Sequence, residues 1–168
     1  MKKICFLILV VLHSYISQSQ TKVYKAIINE SEFKTLLYKA EKGTAKAQIE
    51  LGNRYYKGYG VARNYEKSFY WTKKCAEQGI SDAQYALAIY YGAGTGVQED
   101  LKKAVYWLEK SALQENMYAQ FQLGGMYFSG DGVVANKKNG AALIKKSMDN
   151  GHYEAKKKWN EMKLWKYL

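Results

Sequence analysis

The chain has no proline, two cysteines, two histidines, and 15 acidic residues against 26 basic ones. Each scarcity removes options. Without proline nothing breaks a helix from within, and turns must be built from the 14 glycines, from Asn or from Asp. Long apolar runs are also missing. The one at the N-terminus, Ile4 to Leu12, is nine residues long, and a bilayer-spanning helix needs about 20. Metal and acid–base catalysis usually draw on clustered His, Cys or carboxylates. Here the histidines and cysteines are too few and too far apart to cluster.

What is present begins with a three-part N-terminus. Lys2 and Lys3 precede the apolar run, and a polar stretch with Ser17 and Ser19 follows. This order predicts a secretory signal peptide over 1–19, cut after Ser19 so that Gln20 comes first. The alternative is a buried N-terminal helix, which the unbroken apolar run argues against. Cys5 lies at the start of that run rather than after it, the wrong place for lipid attachment. Residues 20–29 then form a short linker. The expected mature chain keeps 24 of the 26 basic residues and all 15 acidic ones, a net charge of +9. It also keeps one cysteine, Cys75, which cannot form an internal disulfide. The sequence places Cys75 as a small buried apolar residue rather than a reactive thiol.

The remainder repeats itself. Ala47, Ala83 and Ala119 each open an Ala-Gln pair and stand 36 residues apart without a gap. Leu51, Leu87 and Leu123 follow, then Tyr55, Tyr91 and Tyr127. Glycine pairs come next: Gly58 and Gly60, Gly94 and Gly96, Gly130 and Gly132. Val61, Val97 and Val133 recur, then Asn64, Asp100 and Asn136. Trp71 and Trp107 match, with Leu143 in the third copy. Repeats at 45–80, 81–116 and 117–152 follow from this register. Leu36 to Gly43 matches the end of a repeat and forms a half unit in front. A further half unit at the back supplies a capping helix over 153–167.

Each unit reads as two helices. Alanine, leucine and tyrosine at offsets 0, 4 and 8 form one helical stripe, over about 45–57, 81–92 and 117–128. The second helices run over about 65–78, 101–114 and 137–149. Asn64, Asp100 and Asn136 stand just before them as N-caps. Asn29 with Glu32 forms a capping box for the front helix. Gly43, Gly79 and Gly151 end second helices. The glycine pairs invite a phosphate-loop reading, most of all in Ser129–Gly132. Each pair, however, follows a helix and precedes a cap, whereas a phosphate loop follows a strand. Calcium wants six or more oxygens, and Asp131 is the only carboxylate there. The pairs are turns.

Taken together, these residues resemble the Sel-one-like repeat, a relative of the tetratricopeptide repeat with units of about 36 residues. The first copy matches its pattern through Ala47, Leu51, Gly52, Tyr55, Gly58, Gly60, Val61, Lys67, Trp71, Ala76 and Gly79. The second matches through Ala83, Leu87, Tyr91, Gly94, Gly96, Val97, Asp100, Lys103, Ala104, Trp107 and Ala112. The third follows as far as Val133, then drifts at Asn139, Gly140 and Leu143. The resemblance implies an all-α fold, a right-handed α/α superhelix of three full repeats plus terminal half repeats, acting as an adaptor or scaffold. Some secreted relatives are cysteine-rich and bind β-lactams. This chain lacks their cysteine pairs, and that activity is not carried over.

Function is expected to be binding without catalysis and without a cofactor. His152 and Glu154 do not face each other on a helix, and a solvated helix start is the simpler reading. No serine sits in a nucleophile elbow. First helices of such solenoids line a concave face, and offsets 2, 3 and 6 point away from the core stripe. They place Ile49, Glu50 and Asn53, then Tyr85, Ala86 and Ile89, then Phe121, Gln122 and Gly125. The candidate partner-binding residues are Ile49, Glu50, Asn53, Tyr85, Ile89, Phe121 and Gln122. Packing between adjacent first helices is the other reading of the same row. The expected partner is a protein or peptide, acidic by charge complementarity, in the bacterial envelope or outside the cell. The alternatives are an anionic glycan or lipid surface met by the lysines, and a secreted hydrolase. No nucleic acid is expected. In the tail, Trp159, Met162, Trp165 and Leu168 alternate with lysines; the reading taken is a cap on the last repeat, with a membrane-surface helix as the alternative.

Overall fold

A computed structural model describes residues 30–168. The expected signal peptide, the linker and the Asn29 cap lie outside the described residues. Among these, all regular structure is helical. Helix α1 is described over 30–41. It is followed by α2 (Ala45–Lys57), α3 (Tyr65–Glu77), α4 (Ser81–Ala93), α5 (Leu101–Ala112), α6 (Met117–Ser129), α7 (Lys137–Asp149) and α8 (Tyr153–Glu161). A single 3-10 turn, Leu164–Tyr167, ends the chain. From α2 to α8 each helix packs on the next in sequence. The result is an α/α solenoid in which neighbours cover one another's apolar stripes.

Local chemistry explains the helix ends. Asn64, Asp100 and Asn136 accept from the backbone N–H three residues on, at 2.8, 2.9 and 3.0 Å. Their own N–H groups bond the carbonyls of Tyr55, Tyr91 and Tyr127, so each cap is also tied to the helix before it. The first glycine of each pair closes a first helix in the left-handed conformation. The second glycine has a different task. At Gly96 a Cβ would fall inside the Tyr65 carbonyl, and at Gly132 inside that of Leu101. The turn of one repeat therefore rests on the start of the previous repeat's second helix. At Gly60, where no full repeat precedes, the nearest neighbour is Arg54 at 4.0 Å.

The core forms four clusters strung along the stack. Leu51 with Trp71, then Cys75 with Leu87, then Leu108 with Leu123, then Ile144 with Leu164 are their buried centres. Trp71 is buried, while Trp107 is half-buried and lies across both central clusters. Cys75 is fully buried, and burial pushes its thiol pKa up. Its place in the other repeats belongs to Ser111 and Ser147, whose hydroxyls donate to the carbonyls of Ser81 and Met117 at 2.9 and 2.6 Å. Cys75 is thus a serine-like filler under the Ala45 carbonyl, 3.9 Å away.

The tail departs from the single helix expected over 153–167. Helix α8 stops at Glu161, and Lys163 takes φ 50°. That turn swings Leu164 beneath the stack, where it is fully buried against Ala141, Ile144 and Ala155. Tyr167 meets the Phe128 ring at 5.6 Å. Met162, Trp165 and Leu168, three of the four residues of the expected apolar alternation, are exposed instead.

Candidate functional site

Because α2, α4, α6 and α8 are successive first helices, residues at equal offsets on them form rows. Ile49 and Ile89 are exposed at 39% and 41%, open to solvent. Glu50 is exposed and pairs with Arg54 at 2.8 Å. Asn53 and Gln122 are exposed, and Ala86 and Gly125 are half-exposed. Tyr85 and Phe121 behave differently. Tyr85 lies 5.9 Å from the Tyr118 ring, and Phe121 stacks on the His152 imidazole at 4.8 Å. His152 also meets Tyr118 edge-on at 5.1 Å. Tyr85, Tyr118, His152 and Phe121 therefore join neighbouring first helices side by side, while Ile49 and Ile89 face outward.

His152 is not a solvated helix start. It is half-buried, and its Nδ1 accepts the Ala155 N–H at 3.1 Å, which makes it the N-cap of α8. Glu154 does not pair with it. Beside Phe121, Lys157 and Lys158 of α8 line a shallow hollow with Glu154, Glu161 and Met162. Among the described residues no group of three or more His, Cys, Asp or Glu converges, and no helix is long and apolar enough to cross a membrane.

Sequence reasoning noted the recurring Ala-Gln pair and gave the glutamine no part. The structure does. Gln48, Gln84 and Gln120 are buried at 3%, 5% and 2% exposure. Each donates backward to the last turn of the preceding second helix, at Ala40, Ala76 and Ala112 (3.0, 3.3 and 3.4 Å). Each accepts from an amide at the end of its own repeat: Gln78 at 2.7 Å, Gln114 at 2.8 Å, Asn150 at 3.2 Å. The signal that could have revealed this was a strictly repeated amide beside a core alanine, where an unpaired polar group would be costly.

The second helices make a different surface. Lys74 lies over the Tyr70 ring, and Tyr70 meets Trp71 edge-on at 5.0 Å. Lys110, Tyr106 and Trp107 repeat the arrangement, with the rings 5.2 Å apart. In the third repeat Lys146 remains, but Ala142 and Leu143 replace the two rings. A groove of about 620 Å³ opens there between α5 and α7.

A family model described as the Sel1 repeat matches residues 45–80, 81–116 and 118–152. Among solved structures, a Sel1 repeat protein from Oxalobacter formigenes is 32% identical with a TM-score of 0.71, over 77% of this chain and 98% of its own. A protective antigen present in uropathogenic Escherichia coli strains, displaying an SLR fold, is 32% identical with a TM-score of 0.69 over 71% of this chain. The match spans 26% of that antigen's length. Helicobacter pylori cysteine rich protein B is 25% identical with a TM-score of 0.57, over 73% of this chain and 93% of its own. No protein of curated function matches.

Proposed function

The chain belongs to the Sel1 repeat family, and from that premise we propose that it is an exported, non-enzymatic scaffold on which an acidic protein segment docks. Sel1 repeats in general mediate protein–protein interactions. The observation that carries the finer reading is the first-helix face. Ile49 and Ile89 stand open along it, and Lys157 and Lys158 flank Phe121 at its C-terminal end. Apolar contacts supply the anchor, and the chain's net charge of +11 supplies the preference for acid, since Lys157 and Lys158 are locally matched by Glu154 and Glu161. Phe121 and Tyr85 give the row stiffness more than contact area, since each already holds a neighbouring helix.

Capture from an envelope extract tests the docking face. The Ile49→Asp/Ile89→Asp chain should melt like the parent and lose at least about tenfold of the captured partner; undiminished capture would remove this face from the account. The lysine-driven alternative, an anionic glycan or lipid surface, carries its own signature. Retention on phosphatidylglycerol vesicles that survives the double substitution and collapses with salt would favour it. Export is checked by mass spectrometry of the protein from the producing cell. A chain beginning at Gln20 is expected; an intact Met1 in the cytosol would defeat it.

A further inference from the structure

The groove between α5 and α7 lies where the two sister repeats carry a Tyr-Trp pair. In the first repeat the corresponding hollow, about 560 Å³, has Tyr70 and Trp71 in its wall, and Trp71 packs over Leu51. The hollow there does not reach Leu51 or Tyr55. In the third repeat Leu143 and Ala142 stand in the place of those rings, and the groove extends to Leu123 and Tyr127. Its lip is Leu113, 84% exposed, where the sister positions carry Glu77 and Asp149. A missing pair of rings, a groove that reaches Leu123 and Tyr127, and an exposed leucine in an acid's place coincide at one site.

Charge gives the occupant its flanks. In a chain of net charge +11, this groove is lined by Glu109, Glu115 and Asp149 against the single cation Lys146. Asp149 is engaged by Lys145 at 2.7 Å, while among the described residues Glu109 and Glu115 form no ion pair. Burial, with the Glu109 carboxylate beside it, raises the Tyr127 phenol. Lys146 stands where Lys74 and Lys110 sit over tyrosine rings, and the residue in the ring's place is Ala142.

We propose that the α5–α7 groove binds a partner peptide through one aromatic side chain, with basic residues on either side of it. The ring takes the place that Tyr70 and Tyr106 hold in their repeats, beside Leu143 and under Lys146. The basic flanks meet Glu109 and Glu115. This site is separate from the first-helix face and uses the opposite charge preference, so the two fail independently.

The probe is acetyl-Gly-Lys-Trp-Lys-Gly-amide, titrated into the full chain while the methyl NMR signals of Leu113, Leu123 and Leu143 are followed. All three should shift. Replacing the peptide's Trp by Ala, or both Lys by Glu, should weaken binding at least about tenfold, and the Lys effect should shrink with salt. Ala142→Tyr/Leu143→Trp restores the sister residues and should weaken the probe at least about tenfold while raising the melting temperature. Should that variant misfold, Leu113→Gln, a change at an exposed position, should still weaken binding several-fold. No shift at these methyls, equal binding of the Ala peptide, or equal binding by the filled chain would each overturn the proposal. So would finding the groove already taken. A dimer that Leu143→Trp dissolves would assign it to a second copy. Probe binding that appears only after Tyr24→Ala would assign it to the chain's own N-terminal segment.

Discussion

Trp71 and Leu143 stand at the same place in two copies of one module, two repeat lengths apart. Around them the backbone is the same: a side-chain cap at Asn64 or Asn136, a left-handed glycine at Gly58 or Gly130, a buried glutamine behind. The contents differ. The first repeat is closed by an indole and ends at Gly79. The turn after α5, which leads into the third repeat, ends at Glu115, which holds φ 63° without a glycine's freedom. In the third repeat the amide tie is made by the shorter Asn150, at 3.2 Å rather than 2.7 Å. Turn chemistry is thus repeated faithfully, while side-chain volume is free to drift. Where Leu143 stands for the indole, the hollow reaches Leu123 and Tyr127; where Trp71 stands, it does not reach Leu51 or Tyr55.

The strongest way to break the comparison is to empty the first repeat. Trp71→Ala should cost about 3–5 kcal/mol in urea melts, and Leu143→Ala well under half as much, because that site is already open. A loss below about 1 kcal/mol at Trp71 would remove it from the core. Next come the second glycines. Gly96→Ala or Gly132→Ala drives a methyl into backbone and should cost at least about 3 kcal/mol, whereas Gly60→Ala meets only its positive φ, about 1 kcal/mol. Equal losses would mean that inter-repeat contact is not what these glycines serve. A smaller change sharpens the contrast from the other side. Glu115→Gly should raise stability by about 0.5–1 kcal/mol by relieving the left-handed residue.

The smallest effect is a matter of acid. The Lys103 backbone N–H, helped by its ammonium, holds the Asp100 carboxyl below its usual range. A depressed folded-state pKa contributes stability above the unfolded value and loses it as pH falls through the folded one. The loss therefore comes below about pH 4. Asn64 and Asn136 cap the same turn without titrating. Asp100→Asn should flatten the fall in melting temperature between about pH 5 and pH 2.5; an unchanged slope would show that the cap carries no acid sensitivity.

Much of this architecture was legible because its causes are local. A cap acts three residues ahead, and a glycine turn acts on itself, so Asn64, Gly94 and their counterparts could be placed by spacing alone. The glutamine ties were not, since Gln48 and Gln78 meet across 30 residues of chain. The tail was misread for a similar reason. A non-glycine residue, Lys163, turns left-handed because Leu164 gains a buried seat against Ile144, and no local signal announces that seat. On the candidate face the sequence placed Ile49 and Ile89 on an outward row. For Tyr85 and Phe121 the other reading of that row, packing between adjacent first helices, describes what they do against Tyr118 and His152. The third repeat's drift at Leu143 was visible as a mismatch in a pattern; only packing turns a mismatch into a groove.

The glutamine ties have one more consequence. Each amide reaches back one joint and is held from the same joint ahead, so every junction presents the same fitting. A whole unit inserted or removed at Gly79 would leave no amide stranded, because its replacement arrives with matching halves. Length in this molecule is then an adjustable quantity, and descent could extend or trim it in steps of one module without redesigning any seam.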